Sequence, residues 1–424
     1  MLKPLIYLFF LNVIFACGRD DGNNPVYQEE SPTPLNLESV KAAYSNLSLQ
    51  DRQLNQFLNE INLIPAINQI SNKNSAPIIA VLDSGFQLES SAYADRIWQT
   101  PDNIDSRCDG STIGCNTSTY NNGDFHFGNS QISADTAYRC EKKDKACFHG
   151  TAVASLALGF NQDDGILGVC PVCRLLPVQI TNSQGEISDQ AIIGAFKFLS
   201  NLKSQGVPVK VVNASFGKFQ FSRDVSLALK KLPHVDTMLI VAAAGNENTD
   251  QRAYPSSLSN VIAVASTDYS TGQKSNFSNY GPWVGLSAPS GLFDSLRLTA
   301  SPLFLDGTSF AAPLVAGAAG LILSQDPTMN VDSLKGSLFS SADGNRLYTQ
   351  NPSYLINMGG QRQALLGKGI LNVGFALSGN TGSAVPEQPK RISQGCGSIG
   401  LANGQGVVVF IMLLAPLAIM RSKS

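Results

Sequence analysis

Histidine is scarce in this chain: its 424 residues hold only His126, His149 and His234. Any histidine-dependent chemistry therefore has few candidates. Charge is also thin, at 15% of residues with a formal net charge of −2. That balance argues against a nucleic-acid surface and against an acidic tail. No uninterrupted apolar run reaches the ~20 residues that a spanning helix wants. The N-terminal run is Leu5 to Ala16, and the strictly apolar C-terminal run is Val407 to Met420. What the chain does have is 43% apolar residues and 37 glycines, enough for one large domain with an ample core or two ordinary ones.

The first residues carry Lys3 and then the short apolar run, broken by Asn12, which suits the hydrophobic region of a signal peptide. It ends Ile14-Phe15-Ala16-Cys17, which resembles the lipobox of bacterial lipoproteins. That resemblance implies export, with Cys17 acylated as the mature N-terminus. Residues 1–16 then read as signal peptide and 17–54 as a tether and leading helix. Gly18 to Leu35 is polar with three X-Pro dipeptides, and Leu37 to Ile70 has the spacing of two short helices.

Of eight cysteines, Cys17 is set aside for lipid and Cys396 lies in the tail. Six remain, and an even number in an exported chain implies disulfides. Six allow 15 connectivities, and the short spacings favour Cys108–Cys115, Cys140–Cys147 and Cys170–Cys173. The Cys-x-x-Cys at 170–173 is also compatible with a redox pair or half a zinc site. No second such motif or histidine pair completes a metal site.

Short apolar runs recur between helical or polar stretches: Ile78 to Leu82, Leu175 to Ile180, Val209 to Val212, Met238 to Ala242 and Val261 to Val264. The pattern predicts an α/β fold whose parallel sheet is covered on both faces. A site in such a sheet lies at the carboxyl ends of its strands. Those ends hold Asp83, then Ser215-Phe216-Gly217, then Gly245-Asn246. Trp98 to Phe148 reads as a polar surface insertion carrying His126.

The stretch Leu305 to Pro313 presents a hydroxyl at the mouth of a helix. Gly307 permits a tight turn, and from Phe310 the residues are nearly all small and apolar, as in a buried helix. Pro313 is expected in the first turn, where a missing N–H costs little. Ser309 then sits where free N–H groups favour developing negative charge.

Asp83-Ser84-Gly85, His149-Gly150-Thr151, Ala244-Gly245-Asn246 and Gly307-Thr308-Ser309 resemble, in that order, the motifs of the subtilisin-like serine proteases. The likeness covers roughly Ile64 to Leu377 and includes Tyr254-Pro255-Ser256 and Phe277-Ser278-Asn279-Tyr280-Gly281. It implies a three-layer α/β fold over residues 55–380, and a serine endopeptidase acting on peptides or proteins. Ser309 needs a base, His149, and His149 needs its tautomer and later charge held, by Asp83. The tetrahedral oxyanion needs a donor, the Asn246 amide. Ser215, Phe216 and Gly217 would pair with an extended substrate. The rival reading is a non-catalytic surface binding protein on the same fold. A nucleophile elbow at Ser215 is rejected, because its first glycine is missing and the only later histidine is His234.

Departures from the family pattern are Phe148 and Ala152 around the histidine, and Phe310 and Leu314 after the serine. Phe160 to Gly165 stands where many relatives carry a calcium loop, with Ala92 in place of a ligand carboxylate. Catalysis needs no cofactor on this reading, and structural calcium is left open. Residues 381–395 read as a linker and 396–424 as a hydrophobic tail ending in Arg421 and Lys423. Gly395-Cys396-Gly397 with that tail resembles the cysteine-containing C-terminal sorting signals of Gram-negative bacteria. It implies attachment to the cell envelope through lipid, tail or both.

Overall fold

The computed structural model describes residues 36–47, 56–71, 76–99 apart from 89 and 91, 108, 113–118, 149–161, 166–182, 185–290, 292–293 and 304–386. In chain order these form α1 (Leu37–Ser45), α2 (Gln56–Glu60), α3 (Leu63–Gln69), β1 (Ile78–Asp83), β2 (Cys115–Asn116) and α4 (His149–Leu158). A short hairpin follows, β3 (Phe160–Asn161) and β4 (Ile166–Leu167), then β5 (Arg174–Gln179), α5 (Asp189–Ser204), β6 (Val209–Ala214) and α6 (Arg223–Lys231). The chain continues through β7 (Leu239–Ala243), β8 (Val261–Asp268), β9 (Val284–Ser290) and α7 (Thr308–Gln325). Helices α8 (Val331–Ser341), α9 (Gly344–Gln350) and α10 (Val373–Ser378) end the domain.

Seven strands make one sheet in the order β2-β5-β1-β6-β7-β8-β9, and every neighbouring pair is parallel. The alternation of side chains splits the core in two. Ile79 and Val81 of β1 face α4 and α7, while Ile78, Ala80 and Leu82 face α5. All six residues of β1 are buried, as a strand covered on both sides requires. The order reverses beside β1: the chain runs out to β5 on one side, then crosses to β6 on the other. That crevice, at the carboxyl ends of β1 and β6, is where an open parallel sheet places a site.

α7 crosses the sheet as an apolar helix with nearly every residue buried. It is long and apolar enough to span a membrane, but its burial makes it a core helix. Gly317 lets it approach α4, since a Cβ there would stand 2.4 Å from the Ala157 carbonyl oxygen.

Three features differ from the sequence expectations. The 37–70 stretch forms three helices rather than two, and α1, grouped with the tether, buries Val40, Ala43 and Tyr44 in the same core as α4 and α7. The Tyr44 hydroxyl donates to the Gly168 carbonyl, and Val373 N–H donates to Ile61 O at 2.7 Å, so both ends of this segment are knitted in. Strand β9 was not expected, because its sequence Val-Gly-Leu-Ser-Ala-Pro-Ser is not continuously apolar and holds a glycine and a proline. Pro313 is the sixth residue of α7, inside the helix rather than in its first turn.

Disulfides join Cys108 to Cys115 and Cys170 to Cys173, and all four cysteines are buried. Burial in the apolar core fits a structural pair at 170–173 rather than a reactive one. Cys17, His126, Cys140, Cys147, Phe148 and the 396–424 tail lie outside the described residues.

Candidate functional site

Asp83 closes β1 and is nearly buried, at 4% exposure. Its Oδ1 accepts from the Ser84 N–H at 2.7 Å and lies 2.7 Å from His149 Nδ1. His149 is the first residue of α4. The next residue must be glycine: a Cβ at Gly150 would stand 2.1 Å from the Gly85 carbonyl oxygen and 3.1 Å from Asp83 Cβ. The close approach of helix and strand end is what seats imidazole on carboxylate. Burial pushes the His149 pKa down, but the Asp83 charge and hydrogen bond outweigh it, and the net shift is above the ordinary histidine value.

Ser309 is the second residue of α7, after Gly307 at φ 144°. Pro313 lacks the N–H that would bond four residues back, so the Ser309 carbonyl is released from the helix ladder. Ser215 takes it up, donating Oγ–H to Ser309 O at 2.7 Å. The bond is returned, with Ser309 Oγ donating to Ser215 O at 3.0 Å. Phe310 follows, its ring centroid 5.3 Å from that of His149, so nucleophile candidate and imidazole share one cleft. In this state the Ser309 hydroxyl rests on Ser215, and handing its proton to His149 requires it to leave that acceptor.

Asn246 follows β7 and is exposed. Its Oδ1 accepts from Thr308 N–H at 2.8 Å and Thr308 Oγ–H at 3.0 Å. With the oxygen committed twice, the amide NH₂ is the end left to face the cleft. Sequence reading quoted Asn279 but missed its part. Fully buried, Asn279 accepts through Oδ1 from Glu247 N–H (3.0 Å) and Thr249 N–H (3.1 Å), and donates through Nδ2 to Ala244 O (3.1 Å) and Glu247 Oε2 (2.8 Å). It shapes the whole 244–249 turn around Asn246. The signal in the sequence was only an Asn inside a motif, with nothing to say that its partners lie 30 residues away.

Ser215 is buried, Phe216 half-buried and Gly217 exposed, so this edge opens to the cleft beyond β6. It is anchored just past Gly217, where Lys218 and Tyr254 exchange backbone hydrogen bonds of 3.0 and 2.8 Å. Asp83, His149, Ser309, Asn246 and the 215–217 edge are thus brought together.

Of the stretch expected at a calcium loop, residues 162–165 lie outside the described residues, and Phe160 is engaged otherwise. The buried Arg96 guanidinium donates to Pro171 O (3.0 Å), Phe160 O (3.1 Å) and Ala92 O, and packs on the Phe160 ring. A cation therefore already sits on the carbonyls of Ala92 and Phe160. No group of three or more His, Cys, Asp or Glu able to hold a metal occurs among the described residues.

Known proteins resemble this chain over the stretch that carries these residues. The subtilase family model matches residues 74–369. A thermostable alkaline protease from Halalkalibacterium halodurans is 30% identical over 249 residues, which cover 59% of this chain and 62% of that protein. Subtilisin DY from Bacillus licheniformis is 32% identical over 198 residues, 46% of this chain and 70% of its own length. The solved structure of a Pseudoalteromonas arctica protease shares the fold, with a TM-score of 0.59 at 20% identity, covering 78% of this chain and 97% of that one. The family match spans Asp83, His149, Asn246 and the helix-mouth Ser309 in one continuous stretch, and on that ground the chain belongs to the subtilase family.

Proposed function

We propose that this chain is a serine endopeptidase that cuts peptide bonds through an acyl-enzyme on Ser309. The observation that carries the reading is the Asp83–His149 hydrogen bond of 2.7 Å, with the imidazole 5.3 Å by ring centroid from Phe310, the residue after Ser309. Asp83 fixes the proton on Nδ1, leaving Nε2 to accept the Ser309 proton as Oγ attacks the substrate carbonyl. The same imidazolium then gives the proton to the departing amine. Negative charge on the carbonyl oxygen is met by the Asn246 amide and by the Ser309 N–H, which in the first turn of α7 has no intrahelical acceptor. The 215–217 edge holds the extended substrate by backbone pairing. An occluded, non-catalytic version of the fold finds no support in the geometry of the described residues.

The raised His149 pKa sets the sign of the pH dependence. Only neutral imidazole accepts the serine proton, so kcat/KM will rise with pH through a midpoint above the ordinary histidine value of about 6.5. The same shift contributes stability that is complete below about pH 6.5 and is lost as pH rises through the folded-state value. A pH–rate series on an unfolded protein substrate checks the first statement. An acid limb below the ordinary value, or undiminished cleavage by His149→Ala, would overturn the assignment.

Calcium is left out of this function, because Arg96 already occupies the carbonyls of Ala92 and Phe160. Excess chelator will leave the melting temperature unchanged. Arg96→Ala will lower stability, by about 1–3 kcal/mol for the loss at the buried Pro171 carbonyl, whereas Ala92 O keeps the Phe160 N–H at 2.8 Å. A chelator-induced drop of several degrees in the wild-type protein would show that a bound metal contributes after all.

The signal sequence and lipobox, together with the two close disulfides, support export and attachment to a bacterial cell envelope. Lipid at Cys17 and the 396–424 tail are the proposed anchors. Intact mass of membrane-extracted protein will show an acylated N-terminus at Cys17. An unmodified N-terminus upstream of Cys17 rules the lipid anchor out.

A further inference from the structure

Lys274 is 8% exposed and carries its ammonium into the protein. All three of its protons have acceptors: Asn248 Oδ1 at 2.9 Å, Ser275 O at 2.8 Å and Ser278 O at 2.9 Å. The rings of Tyr280 and Tyr354 lie 5.6 and 5.4 Å away, within reach of a cation–π attraction. No carboxylate pairs with it among the described residues. A buried cation satisfied only by neutral oxygens and ring faces is costly to place, and the oxygens it gathers belong to two separate segments.

One segment is the turn that presents Asn246. Asn248 lies two residues on, at φ 52°, a left-handed conformation that its contacts must hold in place. The other segment runs from Ser275 to Tyr280 and includes Asn279, whose amide shapes the same turn. We propose that Lys274 is a positioning residue for the oxyanion donor: its ammonium clamps Asn248 to the 275–280 segment and so fixes the aim of the Asn246 amide. The inference rests on the peptidase reading and deepens it.

Burial lowers the Lys274 pKa to about 8. The titratable groups facing it are the two phenols, and burial followed by Tyr280 holds Tyr354 above its ordinary value. Deprotonation removes one donor and the charge, loosening the clamp as pH rises through about 8.

The test uses the full-length chain with Lys274→Met, Lys274→Arg, Asn246→Leu and the Asn246→Leu/Lys274→Met pair. Lys274→Met is expected to lower kcat roughly 10–100-fold with KM within about twofold, as misplacement of a transition-state donor does. In the Asn246→Leu background it will add less than about twofold, because the donor it serves is gone. Wild-type kcat will fall above about pH 8, while Lys274→Arg, charged throughout, stays flat. Amide exchange at 245–249 will speed up in Lys274→Met, a readout independent of turnover. An undiminished kcat in Lys274→Met, an equal loss in the Asn246→Leu background, or unchanged exchange overturns the clamp. Should Lys274→Met fail to fold, Asn248→Gly, which removes the clamped acceptor and tolerates the positive φ, takes its place, and an undiminished kcat in it overturns the clamp. A wild-type chain that cleaves nothing refutes the peptidase reading, and exchange at 245–249 still decides the clamp.

Discussion

Ser309→Ala will cut turnover by about a millionfold, the scale known for subtilisin without its nucleophile. The protein will remain folded, for a reason visible in its hydrogen bonds. The Ser309 hydroxyl makes one, to the Ser215 carbonyl, and is partly exposed. The bond that satisfies the carbonyl freed by Pro313 comes from the other direction, from Ser215 Oγ, and survives the substitution. Substrate binding will be nearly unaffected, because the 215–217 edge loses only that bond and keeps its Lys218–Tyr254 backbone anchor. Steady-state kinetics beside a thermal melt make the check: a loss smaller than about tenfold would mean that another group attacks.

Asn246→Leu will lower turnover roughly 100–1,000-fold with little change in KM, the loss known for subtilisin's own oxyanion donor. Leucine also deprives Thr308 of the acceptor for both its N–H and its hydroxyl, so some stability goes with it. Asn246→Asp separates the two effects. Aspartate keeps an acceptor for Thr308 but removes the amide donor and sets a negative charge beside the forming oxyanion. Turnover will therefore fall in both variants, while the larger drop in melting temperature belongs to leucine. If aspartate restores turnover, Asn246 serves Thr308 and not the transition state.

The two kinds of information in this chain were unequally legible. Runs such as Ile78 to Leu82 announced central strands because both faces of a parallel sheet are apolar, and each was found within a residue or two of its expected start. The places of Asp83, Asn246 and Ser309 in the fold could be read from short motifs, since each follows a strand or opens a helix and its neighbours are contiguous. β9 could not be read: its Ser287 and Ser290 are buried and satisfied by the Leu366 carbonyl and the Ser266 hydroxyl, partners distant in sequence. Pro313 looked like a first-turn proline until the fold supplied Ser215 as a replacement donor. Arg96, Asn279 and Lys274 were invisible for the same reason. A buried polar residue takes its meaning from which oxygens surround it: Arg96 reaches Pro171 O, 75 residues on, and Lys274 reaches Asn248 Oδ1, 26 residues back.

The central claim is that one hydroxyl, Ser309, is made nucleophilic by His149 and Asp83. Treating the purified mature protein with a serine-directed fluorophosphonate, then mapping the adduct by peptide mass spectrometry, tests it most directly. The account predicts one adduct per chain, on Ser309, formed faster as pH rises through the His149 titration and lost in His149→Ala. Peptidase activity that persists with Ser309 unmodified, or an adduct on another serine in the active protein, would contradict it.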